Sequence, residues 1–135
     1  MWKKKFYEKG REYEYNLMRK LKEMGYFVIR APASGRAVKR FFYPDVIAIR
    51  KGRILLFEVK YRSKSKAIQI HKYVYKKMKE VEEKTGGKYY IAYYMKPLRA
   101  FRFLHIDDYD TEGEKYIRYR ATSFKERGLR IIDFA

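Results

Sequence analysis

The sequence predicts an α/β fold: one domain, residues 1–135, built on a central mixed β-sheet flanked by helices. Three observations predict it. Helical and strand patterns alternate along the chain in the order α-β-β-β-α-β-β. Two β-rich runs flank a short basic turn, which is a hairpin signal. Hydrophobic residues make up 47% of the chain, with 15 Tyr, 9 Phe and 1 Trp, enough apolar material for a core in a chain of this length.

The elements follow in order. Tyr13, Leu17, Leu21 and Met24 recur at helical spacing and mark one apolar face of a helix over residues 8–24, stopped by Gly25. Residues 26–30 read as a strand and residues 31–43, with Pro, Gly and three bases, as a loop. Residues 45–49 and 54–60 form the hairpin around Arg50-Lys51-Gly52-Arg53. A second helix runs from His71 to Lys84 with Val74, Met78 and Val81 inward, and Thr85-Gly86-Gly87 ends it. Residues 88–95 and 100–106 are strands around the turn at 96–99. Tyr89, Tyr90, Tyr93 and Tyr94 alternate along the first of these, half toward the core and half toward the surface. Ile131-Ile132-Asp133-Phe134 is a candidate edge strand. With Phe41-Phe42-Tyr43 it is also a candidate subunit interface, or else core. No internal repeat, low-complexity tract or linker interrupts the chain.

Composition narrows the function classes. There are 34 Lys and Arg against 16 Asp and Glu, a net charge of +18. Self-repulsion on that scale is offset by a polyanion, and nucleic acid is the commonest. An anionic membrane is a weaker match, because no segment is a basic amphipathic helix with a clean apolar face. No apolar run approaches the ~20 residues of a membrane span. The basic Met1–Lys5 start leads into no apolar stretch, so a secretory leader is not expected. No Cys is present, so disulfides and thiolate metal sites are excluded, and two His do not support a histidine-rich zinc centre. The expected setting is the cytoplasm.

The placement of charge is more informative than its sum. Between Met24 and Lys79 there are 15 Lys and Arg, but Asp45 and Glu58 are the only acids, far below an even share. A two-residue Lys51-Gly52 turn makes Ile49 oppose Ile54 and Ile47 oppose Leu56, and by the same register Asp45 opposes Glu58. Lys60, two residues on, shares the face of Glu58. Lys51 is not a favoured first residue of such a turn, so a longer loop with a shifted register is the alternative. Two carboxylates on one face repel unless a cation lies between them. Oxygen ligands without His or Cys suit a hard cation, Mg²⁺ or Mn²⁺, which assists attack of water on phosphorus. A neighbouring Lys can orient the water or offset developing charge. The plainer reading is a strand-start Asp45 and an exposed Glu58–Lys60 ion pair, worth about 0–1 kcal/mol.

Pro44-Asp45, twelve residues, then Glu58-Val59-Lys60 is the pattern of the PD-(D/E)xK nuclease superfamily. With Lys9-Gly10-Arg11-Glu12-Tyr13-Glu14, Gly25-Tyr26-Phe27-Val28-Ile29-Arg30-Ala31-Pro32-Ala33-Ser34-Gly35 and Tyr43-Pro44-Asp45-Val46-Ile47-Ala48, the chain resembles the archaeal Holliday junction resolvases, including those of archaeal viruses. The match spans roughly residues 9–95 and is loose beyond. The resemblance implies a restriction-endonuclease-like fold and a homodimeric, Mg²⁺-dependent endonuclease, with Mn²⁺ able to substitute. It would make paired symmetric cuts in four-way DNA junctions and take no small-molecule substrate. Glu14, Asp45 and Glu58 match the family's metal-binding carboxylates, with the carbonyl of Val59 completing the protein ligands. Lys60 matches the transition-state lysine, Ser34 a loop serine at the active site, and Arg30 a base needed for activity and DNA contact. Tyr15 departs from the family, where Arg is common, and Val74 stands where relatives often carry a polar residue.

Arg36, Lys39 and Arg40 before the hairpin, and Arg62, Lys64 and Lys66 after it, flank the carboxylates in sequence and are assigned to DNA phosphates. Lys3-Lys4-Lys5 is a candidate DNA-contacting arm. His71 is expected to start its helix and His105 to be structural. The acidic run Asp107–Glu114 is expected as a solvated loop. Two other functions stay open: a nuclease of this superfamily acting on flaps, forks or duplex, and a non-catalytic basic nucleic-acid-binding protein with structural carboxylates.

Overall fold

The computed structural model describes residues 2–31 and 41–135, with side chains described from Gly10 onward. Eleven regular elements occur in those residues: α1 (Trp2–Glu23), β1 (Phe27–Arg30), β2 (Val46–Arg50), β3 (Arg53–Tyr61), β4 (Ile68–His71), α2 (Lys72–Thr85), β5 (Lys88–Met95), β6 (Ala100–His105), β7 (Thr111–Glu112), β8 (Tyr116–Tyr119) and α3 (Ala121–Arg127). Short 3₁₀ turns lie at Lys96–Leu98 and Ile131–Phe134. The main sheet has the order β1-β2-β3-β5-β6 and is mixed: β3 and β5 are parallel, the other pairs antiparallel. A second, antiparallel sheet has the order β4-β8-β7.

The hairpin forms with the register derived from its sequence. Lys51 and Gly52 both have positive φ, 47° and 82°, the conformation of a type I′ turn. Ile49 pairs with Ile54 and Ile47 with Leu56. The regular ladder ends at Val46–Phe57, so the expected direct opposition of Asp45 and Glu58 is corrected. The Asp45 amide donates to the Phe57 carbonyl at 2.9 Å, one residue out of register.

Both faces of the main sheet are covered. On one, Leu17 and Leu21 of α1 are fully buried against Val46, Ala48, Leu55 and Phe57. On the other, Leu56, Tyr89, Ile91 and Tyr93 meet Met78 of α2 and the inward residues Ile68, Ile70, Ile117 and Tyr119 of the small sheet. That double cover explains the unbroken apolar run Ile54–Phe57 in β3. It also corrects the expected split of the β5 tyrosines. Tyr89 and Tyr93 are fully buried, and Tyr90 and Tyr94 are half-buried on the opposite face against Phe134 and Phe101.

Three further expectations change. Ile131–Phe134 is a 3₁₀ turn, not an edge strand. The Asp133 carboxylate accepts from the Arg130 amide at 2.8 Å, and Phe134 inserts edge-on between Phe57 and Phe103, while Ile132 is exposed. Lys3-Lys4-Lys5 belongs to the first turns of α1 rather than to an extended arm. The acidic run is tied down: Asp107 accepts from Lys79 and Tyr75, Asp110 from Ser123 and the Arg120 amide, and Glu112 pairs with Lys72.

Candidate functional site

Helix α1 brings Glu14 to the C-terminal end of β3. The neighbouring Tyr13 ring stacks on Tyr61 with centroids 4.4 Å apart and lies 4.6 Å from Tyr94, pinning this turn of the helix over the strand end. Glu14, largely buried, accepts from Arg30 Nε of β1 at 2.6 Å. The Arg30 guanidinium lies 5.4 Å from the centre of the Tyr15 ring, so Tyr15 supports Arg30 from below.

Asp45 sits just before β2, where its backbone leaves the ladder. Its Oδ2 accepts from the Val59 amide at 2.9 Å, reaching across the end of the hairpin. Glu58 and Lys60 follow on one face of β3, with Lys60 Nζ 3.4 Å from Glu58 Oε2 and both side chains mostly buried. The electrostatics are strained. Burial first, then the nearby Glu58 carboxylate, pushes the Asp45 carboxyl up to about 8, against the opposing pull of the Val59 amide; Glu14 also pushes it up. Burial also raises Glu58, with Glu14 adding to the rise and Lys60 partly countering it. Three carboxylates and one lysine thus act on one another electrostatically at one end of β2 and β3. A metal-free protein gains nothing from such an arrangement, whereas a hard cation would relieve it. The donor chemistry therefore fits Mg²⁺ or Mn²⁺.

Tyr89 is a residue the sequence reasoning missed. It is fully buried, and its hydroxyl has no hydrogen-bond partner among the described residues. Burial first, then Glu58 and Asp45, pushes its phenol up, which places it in the field of the same carboxylates. Alternation within a tyrosine-rich strand carried no signal that this one turns toward them.

The remaining candidates are distributed as follows. Arg62, Lys64 and Lys66 lie on the exposed segment between β3 and β4. Ser34, Arg36, Lys39 and Arg40 lie outside the described residues. Val74 packs against the core, and His71 caps α2, its Nδ1 accepting from the Tyr73 amide at 3.0 Å. A separate acidic group, Glu82, His105 and Asp107, is the set of three among the described residues whose ligand atoms all lie within 4.8 Å of one another, close enough for one ion. Its polar atoms are already engaged. Lys79 Nζ reaches Glu82 at 3.1 Å and Asp107 at 2.8 Å, His105 Nε2 reaches Glu82 at 2.6 Å, and His105 Nδ1 accepts from the Asp107 amide. The lysine already supplies the positive charge, and the network ties α2 to β6.

The comparisons with known proteins agree with this geometry. The family model described as archaeal Holliday junction resolvase (Hjc) matches residues 5–135. The crossover junction endodeoxyribonuclease Hjc of Sulfolobus acidocaldarius is 36% identical over 110 residues, covering 81% of this chain and 75% of that protein. Its counterpart from Sulfurisphaera tokodaii is 34% identical over 126 residues, covering 93% and 84%. Among solved structures, Archaeoglobus fulgidus Hjc, a Holliday junction resolvase from a hyperthermophile, superposes with a TM-score of 0.79 at 23% identity, over 93% of this chain and 94% of that one. The mixed sheet, the crossed hairpin end and the full-length family match have one reading: this chain belongs to the archaeal Holliday junction resolvase family.

Proposed function

We propose that this protein is a crossover junction endodeoxyribonuclease: one nuclease domain over residues 1–135, acting as a homodimer on four-way DNA junctions in the cytoplasm and requiring Mg²⁺. The observation that carries the reading is the meeting of Glu14, Asp45, Glu58 and Lys60 at the end of the hairpin, with two of the carboxylates pushed up by burial and mutual repulsion. The family match supports the substrate, and the net charge of +18 supports the grip on it.

Glu14, Asp45, Glu58 and the Val59 carbonyl would hold the cation, which when bound polarises the scissile phosphate and its attacking water. The protein supplies the rest. Lys60, beside Glu58, offers a compact positive charge for the developing charge on phosphorus or for orienting water. Arg30 holds Glu14 in place and neutralises it until substrate and cation arrive. The Val59 amide orients the Asp45 carboxylate. Two copies related by a two-fold axis would place two such centres for paired cuts. A purely structural role for the carboxylates is disfavoured, because burying mutually repelling acids beside one lysine destabilises the fold.

The test is incubation with a synthetic four-way junction and with linear duplex, in Mg²⁺ or EDTA. Symmetric cuts near the branch, in Mg²⁺ only and on the junction only, are the expected result. Equal cutting of linear duplex would point to another target. Binding without cutting in any divalent metal would leave a non-catalytic DNA-binding protein.

A further inference from the structure

The alternation that puts Glu58 and Lys60 on one face of β3 continues to Arg62, one residue past the strand. Arg62 opens a groove of about 650 Å³, lined also by Ser65, Lys66, Gln69, Tyr116 and Arg118. Its floor is the outward face of the small sheet. Gln69 of β4 pairs with Arg118 of β8, and His71 with Tyr116, while the alternate residues Ile68, Ile70, Ile117 and Tyr119 are buried beneath.

Three features single out this groove. No carboxylate lines it, although three bases do. The salt bridges of the described residues involve none of Arg62, Lys66 and Arg118; the nearest acid in the sheet, Glu112, is engaged by Lys72. Ser65 Oγ is buried and has no hydrogen-bond partner among the described residues. The loop that carries Ser65 and Lys66 is held from below, since the buried Tyr93 donates its hydroxyl to the Lys66 carbonyl at 2.8 Å. Converging cations, an amide, a phenol and an unpartnered hydroxyl on a fixed loop are the donor set of a phosphodiester cradle.

We infer that this groove is a DNA backbone-binding site that carries one arm of the substrate into the cleavage centre, with Arg118 and Gln69 of the small sheet as contact residues beside Arg62 and Lys66. The inference rests on the reading of the protein as a nuclease of branched DNA. It assigns a substrate role to the C-terminal third of the chain, which supplies Tyr116 and Arg118. The groove reads phosphates and no base edges, so its contribution is independent of sequence.

The experiment measures binding of a four-way junction by fluorescence anisotropy in EDTA, across a series of salt concentrations, so that cleavage plays no part. Arg118→Ala is expected to flatten the slope of log K against log salt by about 0.9 for one phosphate contact, and to weaken binding about eightfold at 0.1 M salt. Arg118→Lys is expected to restore the slope. Lys88→Ala removes one charge at the start of β5, beside Leu55 and away from the strand end that feeds the groove, and is expected to change the slope far less. An Arg118→Ala slope equal to wild type, or a loss matched by Lys88→Ala, would overturn the inference. Because Arg118 is exposed, its replacement leaves the core intact, and Lys66→Ala gives a second, independent reading. Failure of the nuclease reading would look different: no Mg²⁺-dependent cutting of any DNA by the wild-type protein, whatever the Arg118 slope.

Discussion

Asp45 carries the largest electrostatic strain of the proposed centre, and its titration has a definite sign. Its carboxyl is pushed up to about 8 by burial and by Glu58, so the folded protein keeps a proton that the unfolded chain releases above about pH 4. Stability of the metal-free protein is then expected to fall as pH rises from about 4 to about 8 and to level off above. Urea midpoints in EDTA across that range should show the fall, and Asp45→Asn should remove most of it. The same variant, like Glu58→Gln, is expected to lower cleavage by about 10²–10³ or more. Junction binding should be kept or strengthened, because a charge that repels phosphate is gone. Loss of binding in these variants would count against the metal assignment. Glu82 behaves in the opposite sense. Burial raises it, but the Tyr89 amide, Lys79 and His105 together outweigh that and hold it below the ordinary range. Glu82→Gln is therefore expected to destabilise the fold by about 1–3 kcal/mol at neutral pH, and the penalty should vanish as pH falls through the carboxyl's own titration.

Two elements decide where the carboxylates end up. The hairpin is the first. Lys51 occupies a position with φ of 47° that favours Asn, so Lys51→Asn is expected to stabilise the protein by about 0.5 kcal/mol without changing the register, read from urea midpoints and unchanged cleavage. The contact of β3 with β5 is the second. A Cβ on Gly87 would lie 2.8 Å from both the Ile54 carbonyl oxygen and its Cγ2, so Gly87→Ala is expected to cost about 1–3 kcal/mol by prising the strands apart. The C-terminal turn is fastened by Phe134, which is buried and whose carbonyl accepts from the Tyr26 hydroxyl at 2.6 Å. The hairpin register was legible because a two-residue turn and the alternation on either side of it are local. The small sheet was not. Its strands are two to four residues long, and their partners lie tens of residues away, so no window of sequence contains the pairing.

For the whole molecule, the net charge of +18 and the family match point to a grip on DNA that weakens steeply with salt. A flat salt response would undercut the assignment of Arg62, Lys64 and Lys66 to phosphates. The proposed homodimer predicts a sedimenting species of twice 16.6 kDa, with the two cuts in a junction linked in time. No described helix is long and apolar enough to cross a membrane.

By itself the sequence determined the chemistry: which few acids survive in a basic segment, and the hairpin that carries Asp45 and Glu58 with Lys60 beside them. Those features depend on residue type and on contacts between near neighbours, which the order of residues states directly. Only the tertiary structure decided that Asp45 leaves the ladder to reach the Val59 amide, that the Tyr13 stack delivers Glu14 with Arg30 upon it, and that Tyr89 turns its unpartnered hydroxyl into the same field. It also decided that Phe134 folds back into the core instead of extending as a strand, and that Arg118 meets Arg62 across a groove. Each of these depends on burial and on partners distant in sequence, and burial is a property of the packed chain, not of any segment of it.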